Sequence, residues 1–319
     1  MRIVQKFGGS SLADLSRLRR AAEICLEARR RGNEVLAVVS AAGDTTDEMI
    51  SLVREITPRP SARELDALLA TGEQRSAALL AILLEGLGAP ARSFTGWQAG
   101  LVTEERHGEA RLLLAAPGRL LKSLAAGQIP VVAGFQGLTP SGDISTLGRG
   151  GSDTTAVALA AALEGARCEI YTDVDGIYTA DPRLVEGARL IPAIDFRDML
   201  TLADAGSQVL HAESVRLALA EEQPIRLLSA FRASPGSEVR TLDASERPAL
   251  AGVTRDEAAH TVTLAGRDAG PGAAALLESG ALPPDSVRAC AVREGCAVFR
   301  VEPGAELSVL RAVHRVLFE

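Results

Sequence analysis

The chain has 319 residues, of which 47% are hydrophobic and only 3% aromatic, and a formal net charge of −7. That balance allows a sizeable core in about two domains and disfavours a nucleic-acid partner, since rings for base stacking are scarce and no cationic excess faces phosphates. No run approaches the ~20 unbroken apolar residues of a membrane span and no signal-peptide core precedes the first strand-like run, so a cytoplasmic protein without a membrane partner is expected.

Cys25, Cys168, Cys290 and Cys296 lack CxxC spacing, and His107, His211, His260 and His314 are dispersed. Neither a disulfide framework nor a protein-made metal site is expected from such spacing.

In chain order, Arg2 to Phe7 reads as a strand ending in Gly8-Gly9-Ser10-Ser11, after which Leu15, Leu18, Ala22 and Cys25 recur at helical spacing. Lys6 at the strand end is either the cation for a phosphate cradled by the Gly8 and Gly9 amides or a solvated lysine beside a turn. Glu34 to Ser40 is a strand covered on both faces, followed by a small-residue loop and an amphipathic helix. Thr71-Gly72-Glu73-Gln74-Arg75 reads as the entry to a buried helix, with Glu73 near its first turn. Trp97, the only tryptophan, reads as a packing residue. Ala110 to Leu114 is a short strand, Leu120 to Ala125 a helix, Ile129 to Phe135 a buried strand, and Thr139 to Asp143 a hairpin turn.

That hairpin delivers the chain to Thr146-Leu-Gly-Arg-Gly-Gly-Ser-Asp-Thr-Thr155, which runs directly into an apolar helical pattern. Glycines allow close backbone approach, Ser152 or Asp153 can cap the helix, and its N-terminus favours anions. Arg149 offers a planar fork for a carboxylate or phosphate and Asp153 a counter-charge for an amine, so the two together can seat both ends of an amino acid. The alternative is an ordinary glycine-rich turn.

Glu169 to Thr172 then runs into Asp173-Val-Asp-Gly, placing acidic residues at the C-terminal end of a strand, where α/β sheets bind ligands. Asp173 and Asp175 can hold Mg²⁺ or order a nucleotide, or simply form a turn. Helical segments surround Met199 and cover Ser214 to Ala220, and Ile225 to Leu228 is a strand. Arg232 to Pro248 lacks periodicity and marks a domain boundary, giving domains at 1–235 and 249–319. The second reads β-α-β-β-α, a ferredoxin-like order without its final strand.

Six segments in order resemble aspartokinases of the amino acid kinase family: Lys6-Phe-Gly-Gly-Ser-Ser11, Val38 to Asp47, Thr71-Gly-Glu-Gln74, Ser93 to Gly100, Leu147 to Asp153, and Tyr171 to Gly176 with Ala180-Asp-Pro-Arg183. The resemblance spans about residues 1–235. It implies an α/β fold, a three-layer αβα sandwich with a mostly parallel eight-stranded sheet, followed by an incomplete ACT-like α+β domain. It also implies transfer of the ATP γ-phosphoryl group, with Mg²⁺, to the β-carboxylate of L-aspartate, the first step of lysine, threonine and methionine synthesis. By the same carry-over, Lys6 and Asp153 are catalytic. Lys6, Gly8, Gly9, Ser10, Thr172, Asp173, Tyr178, Asp181, Arg183 and Gln208 meet the nucleotide, and Ser40, Thr46, Glu73, Arg149 and Asp153 hold aspartate.

Two departures stand out. The family's phosphate-facing lysine in AKVLHP is Gln208 here, and the ACT-like segment is short of one strand, which predicts a homodimer that completes its sheet. Another amino acid kinase, such as a glutamate kinase, and a weakly catalytic amino-acid-sensing subunit are the alternatives.

Overall fold

Runs such as Val35-Leu-Ala-Val-Val39 present no polar face, and strands of that kind are stable where helices cover both sides of a parallel sheet. The computed structural model describes residues 1–319 and divides into two compact units, the first comprising 1–174 with 220–233 and the second 175–219 with 234–319.

In the first unit, strand β1 (Arg2–Phe7) and a 3-10 turn (Gly9–Leu12) lead to α1 (Leu15–Arg30), β2 (Glu34–Val39), α2 (Thr45–Ile56) and α3 (Ala62–Gly86). Then come β3 (Ala91–Phe94), β4 (Leu101–Thr103), β5 (Leu112–Ala115), α4 (Gly118–Ala125) and β6 (Ile129–Ala133). After β7 (Gln136–Leu138) and β8 (Ile144–Thr146) follow α5 (Gly151–Ala162) and β9 (Arg167–Thr172). The second unit holds β10 (Ile177–Tyr178), β11 (Leu190–Ile191), β12 (Ala193–Asp195), α6 (Phe196–Asp204) and α7 (Ala212–Ala220). β13 (Ile225–Ser229) returns to the first unit, and the remainder is β14 (Ser237–Arg240), β15 (Gly252–Asp256), β16 (Thr261–Ala265), α8 (Ala269–Glu278), β17 (Val287–Arg293), β18 (Cys296–Val301) and α9 (Glu306–Phe318).

The first unit's parallel strands lie in the order β13-β9-β1-β2-β6-β3. Alternate side chains of β1, β2 and β6 (Phe7, Val35, Ala37, Val39, Val131) pack with Leu18, Ala22 and Cys25 of α1 and with Ala77, Leu80 and Leu84 of α3. The opposite set, Val4, Leu36, Val38 and Val132, is equally buried on the side taken by α5 and α4. Three layers result, as the alternating apolar pattern requires. A second small sheet, β5-β4-β7-β8, carries the hairpin expected at Thr139 to Asp143.

The Thr71-Gly72-Glu73 segment departs from expectation. It does not open a helix but lies inside the 25-residue α3, so dipole complementarity in a first turn plays no part in placing Glu73. The helix passes through Gly72 because α3 needs a residue without a side chain there: a Cβ would meet the Ala41 Cβ at 2.8 Å. α3 is the one helix with the length and mean hydropathy of a membrane span, yet buried Asp66 and Glu73 mark it as a core helix of a folded unit.

In the second unit, β10 and β11 pair antiparallel and β12 and β14 pair parallel. β14 falls inside the stretch read as an unstructured boundary; a four-residue strand is too short to show a period of two. The C-terminal sheet is antiparallel in the order β15-β16-β18-β17, and α8 and α9 close its core of Val262, Leu264, Phe299, Leu276, Val309 and Leu310. This sheet therefore has four strands. The strand expected to be missing is supplied by β15, which precedes the pattern and pairs with β16, so the stated reason for completing the sheet with a second chain does not hold.

Candidate active site

The two glycine loops converge because the chain returns to the same sheet edge: β1 is flanked by β2 and β9, and α5 packs against β1. Lys6 Nζ on β1 meets Asp153 Oδ1 of α5 at 2.6 Å, as an ion pair without the angles of a good hydrogen bond, and the side chains are only 11% and 7% exposed. Glu73 completes the corner. Its Oε1 accepts the Ala41 N–H at 2.9 Å, while Oε2 is buried with no partner. Burial pushes the Glu73 carboxyl up to about 7, against the opposing pull of the Ala41 amide and the Lys6 ammonium. An enclosed carboxylate oxygen without a donor is a place for a cationic ligand group.

Backbone packing holds the corner rigid. A Cβ on Gly9 would lie 2.7 Å from the Ala41 carbonyl oxygen, so the first glycine loop is closed against the loop after β2, and the Gly43 amide donates to the Gly9 carbonyl at 3.0 Å. The Gly8 amide donates to Tyr171 O at 3.3 Å rather than standing free for a phosphate; the 3-10 turn beginning at Gly9 leaves its first amides without acceptors inside that turn. Ser10 lies in the same turn, half-buried.

At the second loop, neither Ser152 nor Asp153 caps α5. Gly150, in the left-handed region at φ +72°, is the N-cap, and no side chain bonds there. Asp153 is instead drawn inward by Lys6, which a first-turn acid tolerates because it also complements the helix dipole. Arg149 is exposed and forms no ion pair, whereas Asp153 is buried against Lys6. Ser40 and Thr46 are half-buried at the end of β2 and the start of α2.

Of the residues expected to meet a nucleotide, Thr172 and Asp173 belong to the first unit, where the Thr172 hydroxyl donates to Asp173 Oδ1 at 3.0 Å. Tyr178, Asp181, Arg183 and Gln208 belong to the second. There Arg183 Nη2 binds Asp181 Oδ2 at 2.7 Å and holds the carboxyl below its usual range. Tyr178 is half-buried on β10, and Gln208 is exposed between α6 and α7. No group of three His, Cys, Asp or Glu side chains is placed to cage a metal. Mg²⁺ that keeps its waters and rides on nucleotide phosphates needs no such cage.

One carboxylate was missed from the sequence. Asp66, a charge inside the apolar run Leu65 to Leu69, is 1% exposed beneath Thr146. Its position two turns before Glu73 on α3 was the available signal.

The chain matches the model of the amino acid kinase family over residues 1–229. It is 50% identical over 279 residues to an aspartokinase of Mycolicibacterium smegmatis, an alignment covering 86% of this chain and 66% of that protein. The chain thus spans just under two thirds of that relative's length. Among solved structures, aspartate kinase from Synechocystis aligns with a TM-score of 0.70 at 28% identity, covering 99% of this chain and 69% of that one. E. coli aspartokinase III in complex with aspartate and ADP aligns with a TM-score of 0.72 at 25% identity, over 99% and 83% of the two chains. With the family model covering most of the sequence and the αβα layers in place, this chain belongs to the amino acid kinase family.

Proposed function

We propose that the chain phosphorylates the β-carboxylate of L-aspartate with ATP, giving 4-phospho-L-aspartate and ADP, the reaction that opens lysine, threonine and methionine synthesis. The observation that carries this reading is the corner of Lys6, Asp153 and Glu73, with one buried Glu73 oxygen left open for an ammonium. The aspartokinase relatives support it, as does the aspartate and ADP held by the E. coli structure.

The chemistry asks little of the protein. The attacking carboxylate is ionised at neutral pH, so no general base is needed. Its oxygen bonds to the γ-phosphorus as the bond from that phosphorus to the β,γ-bridging oxygen breaks, and ADP leaves with the electron pair. Lys6, released from Asp153, supplies a charge to the transferring group; Asp153 and Glu73 take up the substrate ammonium, and exposed Arg149 the α-carboxylate. Ser40 and Thr46 add hydroxyl contacts to aspartate. Gly8, Gly9, Ser10, Thr172 and Asp173 in the first unit, and Tyr178, Asp181, Arg183 and Gln208 in the second, are assigned to the nucleotide. Mg²⁺, when bound with ATP, neutralises phosphate charge. Self-association through the C-terminal sheet, whose edge strand β17 is largely exposed, belongs to the same proposal and is read by sedimentation.

Trapping the acyl phosphate as its hydroxamate, with aspartate, glutamate and acetylglutamate as rival acceptors, tests the reading. Product with aspartate alone is expected, and Arg149→Ala should raise the aspartate KM by about tenfold or more, as loss of a paired charge does. Product from glutamate in preference would identify a different kinase; binding of aspartate without product would identify a sensing subunit.

A further inference from the structure

Asp66 sits in the second turn of α3 and is 1% exposed. A carboxylate that enclosed is tolerable only where donors converge on it. Here they come from two segments. Thr146 gives its hydroxyl to Oδ1 at 2.6 Å and its amide to Oδ2 at 3.1 Å. The Gly108 amide is shared between the oxygens at 3.1 and 3.0 Å, and His107 Nδ1 lies 3.0 Å from Oδ2, which makes it the protonated ring nitrogen, since a carboxylate only accepts.

These two segments are the walls of the Arg149 loop. Thr146 is the last residue before Leu147-Gly148-Arg149-Gly150, and its carbonyl accepts the Ala110 amide at 2.9 Å. Gly148, at φ +71°, passes so close to the other wall that a Cβ would lie 3.3 Å from Glu109 Cγ and 3.4 Å from Gly108 O. One carboxylate therefore ties both walls to α3. Seven residues further along the same helix is Glu73, ~10 Å along the axis and within about 20° of the same face.

We propose that Asp66 is a positioning residue for the Arg149 loop: by suspending Thr146 and the His107–Gly108 segment from α3, it fixes where Arg149 stands relative to Glu73. What the loop binds rests on the aspartate kinase reading above; the geometry does not. Simple anchoring of the small sheet is a weaker account, because other bonds already do that. Arg63 of α3 pairs with Asp143, and Gln136 Nε2 donates to Ala70 O of α3 at 2.8 Å, while within the sheet Glu105 accepts from Ser141. Loss of Asp66 should therefore loosen the loop before it loosens the sheet.

The test uses the full chain with Asp66→Asn, Thr146→Val and Thr146→Ser. Valine keeps the shape of Thr146 and its amide bond but removes the hydroxyl donor; serine restores the donor. Removing one charge-assisted bond is worth about tenfold. Thr146→Val is expected to raise the aspartate KM by about that factor with kcat and the ATP KM within about twofold, and Thr146→Ser to behave like the parent. Hydrogen exchange in the empty protein should quicken at residues 147–151 in Thr146→Val and Asp66→Asn, while β1 and β9 amides stay protected. Unchanged exchange at 147–151 in Thr146→Val overturns the proposal, as does an equal loss of protection throughout the unit. A parent that makes no aspartyl hydroxamate refutes the kinase reading alone, and the exchange data still decide the role of Asp66.

Discussion

Lys6 of β1 and Asp153 of α5 meet at 2.6 Å with both side chains almost wholly buried, so each neutralises the other's charge. In the proposed reaction substrate divides that pair, Lys6 turning toward phosphate and Asp153 toward the incoming amine. Breaking a buried pair from one side leaves an uncompensated charge and costs ~3–5 kcal/mol. Lys6→Met is thus expected to lower Tm and to abolish most turnover, by a factor on the order of 10²–10³ as for other lost transition-state donors. The double variant Lys6→Met with Asp153→Leu should recover the Tm without recovering activity, as calorimetry and the hydroxamate assay would show together. Full activity in Lys6→Met would remove Lys6 from the mechanism.

Glu73 gives a pH dependence with a defined sign. Its carboxyl rises from 4.5 to about 7 on folding, chiefly through burial, so between those values the folded chain holds a proton that the unfolded chain releases. Its stabilising contribution is present below pH 4.5 and is lost as pH rises through about 7. Glu73→Gln should therefore stabilise the empty protein at pH 8, by at most on the order of 3 kcal/mol, with little difference near pH 4.5. The same variant should raise the aspartate KM, and the parent's KM should climb as pH falls from about 8 to 6, where the ammonium acceptor is protonated. A Tm gap that is independent of pH would show that Glu73 is charged throughout.

Gly72 sets two opposed effects against each other. Alanine in a helix interior is favoured over glycine by ~1 kcal/mol. At this position its Cβ would stand 2.8 Å from the Ala41 Cβ and 3.1 Å from Met49 Cε; Met49 can swing away, but Ala41 moves only with its backbone. Overpacking of that kind costs ~1–3 kcal/mol, so Gly72→Ala is expected to destabilise on balance. It should also raise the aspartate KM, because pushing Ala41 outward stretches the bond from its amide to Glu73. Chemical denaturation that shows a stability gain would mean the loop after β2 yields freely.

The sequence resemblance sets Gln208 against a lysine of the aspartokinases, and the residue is exposed between α6 and α7. A charged donor to a transferring phosphoryl group is worth ~2.7–4 kcal/mol at comparable sites. The parent is expected to be a slow kinase, and Gln208→Lys to raise kcat with little change in the aspartate KM. Steady-state kinetics decide this, and an unchanged kcat would place Gln208 away from the phosphates.

Much of the fold was legible in order. Unbroken apolar runs at β2 and β6 require two covered faces whatever the rest of the chain does, and the glycine clusters after β1 and before α5 mark loops where backbones approach closely. Short segments were not legible. β14 and β15 are too brief for a period to emerge, and β15 became a strand because β16 offered an unpaired edge beside it. Thr71 and Gly72 imitate a helix start, since local propensity cannot report that Gly72 is chosen for its contact with Ala41.

By itself the sequence determined the residue types of the site: a lysine at a strand end, an acid in the first turn of a helix, glycines between them. Only the tertiary structure decided which charges meet. Lys6 pairs with Asp153 because β1 lies against α5, Glu73 is left half-satisfied because α3 runs unbroken beneath the Ala41 loop, and Asp66 gathers two loops that are distant in the chain. Charge pairing in a buried site depends on distances and desolvation that arise only once the layers close, so spacing along the chain carries no trace of it.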